Sequence, residues 1–118
     1  GGFFMFALLS IALLSSATAV AADAETNRVS YSNCLTEFTI THLDSKTARG
    51  AFKKAVTEAC ADERNAMVTA IKKDEMEFGS SEKEATDFAT EEADNVLLSF
   101  LDGYAGYLSS NTRPVKEE

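Results

Sequence analysis

Two cysteines limit the folds open to this chain more than any other residues in it. Cys34 and Cys60 are the only cysteines, and each lies 13 positions from Thr47. Antiparallel helices that leave a turn near Thr47 bring residues at equal distance from it level with each other. The spacing therefore predicts a disulfide that staples a helical hairpin. Such a bond closes a loop of about 27 residues and stabilises the fold by roughly 3–4 kcal/mol in the chain-entropy model.

The alternative for these cysteines is a redox-active or metal-binding pair of thiols. The sequence has no C-x-x-C motif, and its single histidine leaves a structural zinc ion short of the four ligands that it needs. In an exported protein, an even number of cysteines favours a disulfide over free thiols. We therefore predict no metal ligand and no cofactor-binding residue.

Residues 1–21 are predicted to be a signal peptide. An apolar run, FFMFALLSIALL, precedes a stretch of Ser, Thr and Ala, and cleavage after Ala21 or after Ala19 fits this pattern. We prefer cleavage after Ala21, although the usual basic segment before the apolar run is absent. An uncleaved membrane anchor is the alternative, because residues 3–22 are about long enough to span a bilayer. Either way we expect export, with the mature protein periplasmic or secreted.

The remaining chain predicts an all-α fold, a small bundle of three helices. Apolar residues recur at intervals of three and four in three segments, at about residues 27–43, 46–78 and 81–108. Ser81 and Glu84 form a capping-box pattern at the start of the third helix, and Gly79 suits the end of the second.

Length and charge set the domain organisation and the classes of partner. The chain has 118 residues, of which 45% are hydrophobic, and this suits one domain. We expect a helical domain over residues 22–109 and a disordered tail over residues 110–118, which are polar and include Pro114. The net charge of −8 argues against nucleic acid and, once the signal peptide is removed, against anionic membranes. The oligomeric state stays open.

Acidic residues concentrate between positions 74 and 94. This segment holds nine carboxylates and one base, Lys83. A solvated helix face is the ordinary interpretation, and the D-x-[DN]-x-[DN]-G pattern of a calcium loop is absent. A basic protein surface is the partner that the charge would attract. The possible partner surface includes six of these acids: Asp74, Glu75, Glu77, Glu84, Asp87 and Glu91.

Two tyrosines of the third helix are candidates for the same partner surface. Tyr104 and Tyr107 have amphipathic rings of the kind that is common at interfaces. Packing of at least one of them in the core is nevertheless the preferred interpretation, and an interface is the alternative.

His42 and Asp44 are the nearest approach to a catalytic pair. A histidine–carboxylate pair needs a nucleophile within reach, and the neighbouring Ser and Thr residues lack any nucleophile-elbow context. We interpret His42 as a helix-end residue that meets the carbonyl dipole. No catalytic residue is predicted, and we expect that the protein is not an enzyme.

Two short patterns around the cysteines resemble a known class of protein. Tyr31-x-x-Cys34-Leu35 and, after a helical return, Ala59-Cys60-x-x-Glu63-Arg64 are similar to sequences of small exported helical proteins of Gram-negative bacteria with two cysteines. That class has no assigned activity, so the resemblance implies a compartment and a disulfide but no active site. The periplasmic acid-stress chaperones, which are small, helical and held by one disulfide, are similar in a looser way.

Three hypotheses for function follow. The first is a non-enzymatic periplasmic protein that binds another protein as an inhibitor, adaptor or assembly factor. The second is an acid- or envelope-stress holdase, since protonation of all 19 carboxylates would change the net charge from −8 to about +12. The third, a small hydrolase or metal carrier, rests only on His42 and scattered acidic residues.

Overall fold

The computed structural model describes the backbone of residues 2–118 and the side chains of residues 23–118. Four helices follow one another along the chain, and the described residues form no strand: α1 (Gly2–Asp44), α2 (Arg49–Glu58), α3 (Ala61–Glu77) and α4 (Glu82–Ser110). The predicted all-α fold is confirmed. The predicted signal peptide lies outside the residues whose side chains are described. Among residues 23–118, no helical stretch is both long and apolar enough to cross a membrane.

The predicted disulfide is also confirmed. Cys34 of α1 is bonded to Cys60, which lies at the junction of α2 and α3, and their Cα atoms are 6.1 Å apart. The bond therefore joins α1 to the start of α3, and these two helices pack side by side.

The single helix predicted over residues 46–78 is instead two helices, α2 and α3. Ala59 is extended, with φ −74° and ψ 151°, and Cys60 is left-handed, with φ 58° and ψ 40°. A left-handed backbone conformation costs a non-glycine residue roughly 1–2 kcal/mol. The disulfide holds Cys60 in this conformation. Because of the break, α3 packs against α1 while α2 packs mainly against α4. The bundle thus has four helices and not three.

Large apolar side chains fill the core between α1, α3 and the second half of α4, and α2 covers one end of it. The ring of Phe52 on α2 is stacked on that of Tyr104 on α4, with centroids 3.8 Å apart and planes 6° apart. The buried hydrophobic cluster consists of Tyr31, Leu35, Leu43, Phe52, Val56, Met67, Ala93, Leu97, Phe100 and Tyr104.

The first half of α4 packs through small side chains. Ala85, Ala89 and Ala93 are buried and recur every four residues, so they lie in one row along the helix. Their methyl groups let α3 approach closely after the short turn that joins the two helices. The predicted capping box is confirmed at the start of α4, where the hydroxyl of Ser81 accepts a hydrogen bond from the backbone N–H of Glu84 and the carboxylate of Glu84 accepts one from the backbone N–H of Ser81.

A polar contact joins the three long helices. Arg64 of α3 donates to the Tyr31 hydroxyl of α1, at 3.3 Å, and to the Asp94 carboxylate of α4, at 2.5 Å. The guanidinium of Arg64 gives the buried Tyr31 hydroxyl a hydrogen-bond partner. Because the Arg64 side chain is 24% exposed, it also keeps contact with water.

Residues 111–118 follow α4 without regular secondary structure and lie along α1. Asn111 ends α4 in a left-handed conformation, with φ 54°, and the chain then runs antiparallel to α1. We call residues 111–118 the strap. The expected disorder of residues 110–118 stays a prediction, and the structure gives Arg113, Lys116 and Glu117 of that segment hydrogen-bond partners on α1.

Candidate functional site

The turn between α3 and α4 brings two acidic runs of the sequence together. Phe78 ends α3, Gly79 takes a left-handed conformation with φ 103°, and α4 starts directly after Ser81. The last turn of α3 and the first turns of α4 therefore lie side by side. We call residues 74–91 the acidic end. It contains all six of the predicted acidic partner residues.

These six carboxylates differ in exposure and in local partners. Asp74 and Glu75 are half-buried, and the Ser80 hydroxyl lies 3.5 Å from the Glu75 carboxylate. Asp87 forms an ion pair with Lys83 at 2.8 Å. The remaining acids are exposed: Glu77, Glu84 and Glu91.

Glu84 stabilises the start of α4 within the acidic end. Hydrogen bonds from the Ser81 hydroxyl and from the Ser81 backbone N–H lower the pKa of the Glu84 carboxyl. Its charge therefore persists further into acid than that of a free glutamate. Glu84 holds the start of α4 in place, which fixes the position of the neighbouring acidic residues.

Large apolar side chains are exposed at the acidic end. Phe78 is 88% exposed, Met76 44% and Phe88 42%. Phe88 belongs to the three- and four-residue apolar repeat of residues 81–108, yet its ring is exposed, because the buried alanines take the contact with α3. Phe78 was not among the residues predicted for a partner surface. An aromatic residue that directly precedes a helix-ending glycine, with acidic residues on both sides, is the signal that identifies it.

Tyr104 lies in the hydrophobic core. It is 2% exposed, and its hydroxyl donates to the backbone carbonyl of Thr47 at 2.6 Å, with the carbonyl of His42 at 3.2 Å. Burial raises the pKa of the phenol, and the hydrogen bond to Thr47 acts in the opposite direction. The preferred interpretation, in which at least one of the two tyrosines packs in the core, therefore holds for Tyr104.

Tyr107 is half-exposed but lies far from the acidic end. Its ring covers Gly103 of the same helix, where an added Cβ would meet the ring at 3.1 Å. Twenty residues of α4 separate Tyr107 from Asp87, which corresponds to about 30 Å of helix. The structure therefore does not bring Tyr107 together with the acidic residues.

His42 and Asp44 point to different partners. The Nδ1 atom of His42 lies 2.8 Å from the Thr47 hydroxyl, and its ring packs between Phe38 and Phe52. The carboxylate of Asp44 pairs with Arg113 of the strap. His42 thus lies in the last turn of α1, as predicted. Among residues 23–118, no group of three potential metal-ligating side chains comes together.

A basic region lies beside the second half of α4. Residues 46–54, which are not among the predicted site residues, carry four bases and no acid. A pocket of about 530 Å³ lies between α2 and α4, with Phe52 and Leu101 in its lining and Arg49 and Lys53 at the α2 side. Positive and negative charge are therefore separated along α4.

The comparisons with known proteins give no relative on which to base a function. The chain matches no protein-family model, no curated protein and no solved structure. The resemblance to small exported two-cysteine proteins therefore stays a prediction, and the candidate site rests on the geometry of this chain alone.

Proposed function

We propose that this chain is a non-enzymatic exported protein that binds another protein through its acidic end. The observation that carries the proposal is Phe78, whose ring is 88% exposed on a defined turn among carboxylates. Removing an aromatic ring from water contributes strongly to association, and aromatic residues are enriched among the residues that dominate interface energies.

The charge around Phe78 specifies the kind of partner. Glu77, Glu82 and Glu84 are exposed on either side of the turn, so they repel acidic surfaces and attract basic ones at a distance. The partner would present an apolar pocket for Phe78 with Lys or Arg residues at its rim. The turn is held by Gly79 and by the capping box, so Phe78 would lose little conformational freedom on binding.

Affinity capture from a bacterial envelope extract, with two variants, tests this proposal. Phe78→Ser removes the ring, and Val115→Ser is the matched control because Val115 is 85% exposed and lies on the strap. We expect one stoichiometric basic protein with the unchanged chain and with Val115→Ser, and none with Phe78→Ser. Retention should weaken as salt is raised. Identical partners for all three proteins would contradict the proposal.

Export is part of the proposal. A disulfide that joins two helices of a small domain is typical of oxidising compartments, and the Cys34–Cys60 bond supports a periplasmic or secreted location. Fusion of residues 1–30 to a reporter that is active only after export tests it. A reporter that stays inactive would count against this location.

A second candidate function is an acid-stress holdase. The pKa values of three carboxyls, Glu25, Glu84 and Glu117, lie below their usual range because of hydrogen bonds to Arg28 or Ser81. Stability that depends on them is present above the pKa of a free glutamate and is lost as pH falls through the lowered pKa. The helix start and the strap would loosen in acid. Suppression of client aggregation should then appear only at low pH, and its absence at every pH would exclude this role.

A further inference from the structure

The strap contacts α1 through a row of polar side chains. We call this row the α1 track, and it consists of Arg28, Asn33, Glu37 and Asp44. Arg113 of the strap pairs with Asp44, Lys116 pairs with Glu37, and Glu117 is held by Asn33 and Arg28. The order of partners is reversed along the two segments, so the strap runs antiparallel to α1.

Asn33 recognises the main chain of the strap. Its side-chain oxygen accepts from the backbone N–H of Glu117 at 2.8 Å, and its side-chain nitrogen donates to the carbonyl of the same residue at 2.9 Å. One amide side chain thus satisfies both backbone groups of one residue, as a neighbouring β-strand would. This contact requires an extended peptide but no particular side chain.

Arg28 adds a side-chain preference at the same position. Its guanidinium makes two hydrogen bonds to the Glu117 carboxylate, at 2.7 and 3.1 Å. Such a parallel pair of bonds has a fixed geometry that lysine does not reproduce. Glu25 binds the other side of the guanidinium at 2.7 Å, so Arg28 is already oriented by its own helix.

The spacing of the contacts also requires an extended guest. From Asn33 to Asp44, α1 rises about 16 Å. From Arg113 to Glu117 an extended chain covers about 13 Å, and the length of the Arg113 side chain bridges the rest. A helical guest of the same length would cover about 6 Å and would reach only one end of the track.

The strap buries little apolar surface against α1. Val115 is 85% exposed, and Lys116, Glu117 and Glu118 are exposed as well. Ion pairs at such positions contribute little to stability, so the strap is held mainly by local concentration and is open to displacement. We infer that the α1 track is a docking site for an extended peptide of another protein, with basic residues facing Asp44 and Glu37 and a glutamate facing Arg28, and that the strap occupies it when the partner is absent.

This inference does not rest on the acidic end, and the purified protein tests it in two steps. The first step follows the backbone N–H of Glu117 by hydrogen exchange in NMR spectra. Exchange should be slowed in the unchanged protein and should become fast in Asn33→Ala, while Asn95→Ala on the exposed face of α4 leaves it slow. Fast exchange in the unchanged protein would overturn the inference.

The second step measures docking of a separate peptide. A variant with Lys116→Glu and Glu117→Lys keeps the net charge but sets the two exchanged side chains against like charges on the track, Glu37 and Arg28. A fluorescent peptide with the sequence of residues 111–118 should bind this variant roughly tenfold more tightly than the unchanged protein, whose own strap competes at an effective concentration on the order of millimolar. Addition of Arg28→Glu to the variant should abolish the gain, and a peptide with Lys and Glu exchanged should not bind.

Three results would contradict the inference. The first is failure of the peptide to bind the variant with Lys116→Glu and Glu117→Lys. The second is equally tight binding of the peptide after Asn33→Ala. The third is a dimer of the unchanged protein that exchanges its straps between two copies, because the strap would then not occupy the track of its own chain.

Discussion

The two halves of α4 bury different kinds of side chain and present different surfaces. The second half buries Leu97, Phe100 and Tyr104 and lies beside the basic helix α2. The first half buries three alanines and forms part of the acidic end. Large rings separate helices and fill the space between them, whereas methyl groups let helices approach closely.

Large apolar side chains are exposed at the acidic end because of this difference in packing, while Leu98, which is 48% exposed, is the exposed large apolar residue on the second half of α4. Close approach of α3 and α4 over the alanine row leaves no room for a large ring, so Phe88 is directed outward. Phe78 lies beyond the last turn of α3, where no helix covers it. The apolar surface of Phe78 and Phe88 is therefore not buried in the core and remains exposed at the acidic end. We propose that a partner protein covers this surface.

The largest expected effect on stability comes from removal of a buried aromatic ring, compared with removal of an exposed one. Tyr104→Ala should lower the free energy of unfolding by about 3–5 kcal/mol, because it leaves a cavity beside Phe52 and removes the hydrogen bond to Thr47. Phe88→Ala, on the same helix, should cost under about 1 kcal/mol. Urea unfolding followed by circular dichroism measures both. Equal costs would break the comparison.

The disulfide is expected to come next. Replacement of both Cys34 and Cys60 by Ser should destabilise the fold by roughly 2–4 kcal/mol, since the unfolded chain gains freedom and Cys60 loses the bond that holds it at the α2–α3 break. Thermal unfolding with and without reductant measures this cost. A reductant should destabilise the unchanged protein and leave the double variant unaffected; any other pattern would argue that the bond does not support the break.

A third prediction concerns the alanine row. Ala89→Leu should cost about 1–3 kcal/mol, because the added side chain has to force α3 and α4 apart. Ala51→Leu on the exposed side of α2 adds the same atoms without such a contact and should be nearly neutral. Chemical denaturation of the two variants gives the difference. A neutral Ala89→Leu would mean that the first half of α4 has space for large side chains.

The smallest expected effect is at the capping box. Ser81→Ala should cost about 1 kcal/mol at neutral pH, while Ser99→Ala, with its hydroxyl on the exposed face of α4, should cost less. The pKa of Glu84 is lowered by Ser81, so the capping contribution is present above the pKa of a free glutamate and fades as pH falls through the lowered value. Stability of the two variants measured from pH 7 to pH 3 should therefore converge in acid.

Local pattern was enough to predict much of this fold. The three- and four-residue periodicity, the spacing of Cys34 and Cys60 and the capping box all depend on residues close in sequence or on one turn. The break at Cys60 was not predictable in this way, because no Gly or Pro marks it and a tertiary bond holds the strained residue. Periodicity likewise does not tell which of Phe88 and Tyr104 faces the core, since that depends on which helix packs there.

The candidate site was predictable only in part. The acidic run is visible in the sequence, and its charge alone suggested a basic partner. That Phe78 stands exposed within it depends on the geometry of the α3–α4 turn, and that Tyr104 is buried depends on the stacking with Phe52. The contacts of the strap with Arg28 and Asn33 join positions more than 80 residues apart, and no local pattern indicates them.

Site-specific photocross-linking at Phe78 tests the central claim most directly. A benzophenone-bearing phenylalanine analogue at position 78 keeps an apolar aromatic group on the turn, and the same analogue at position 115 serves as the control. We predict one adduct with a single basic protein from position 78, which decreases as salt is raised, and no such adduct from position 115. No adduct from position 78, or the same set of adducts from both positions, would contradict binding through the acidic end.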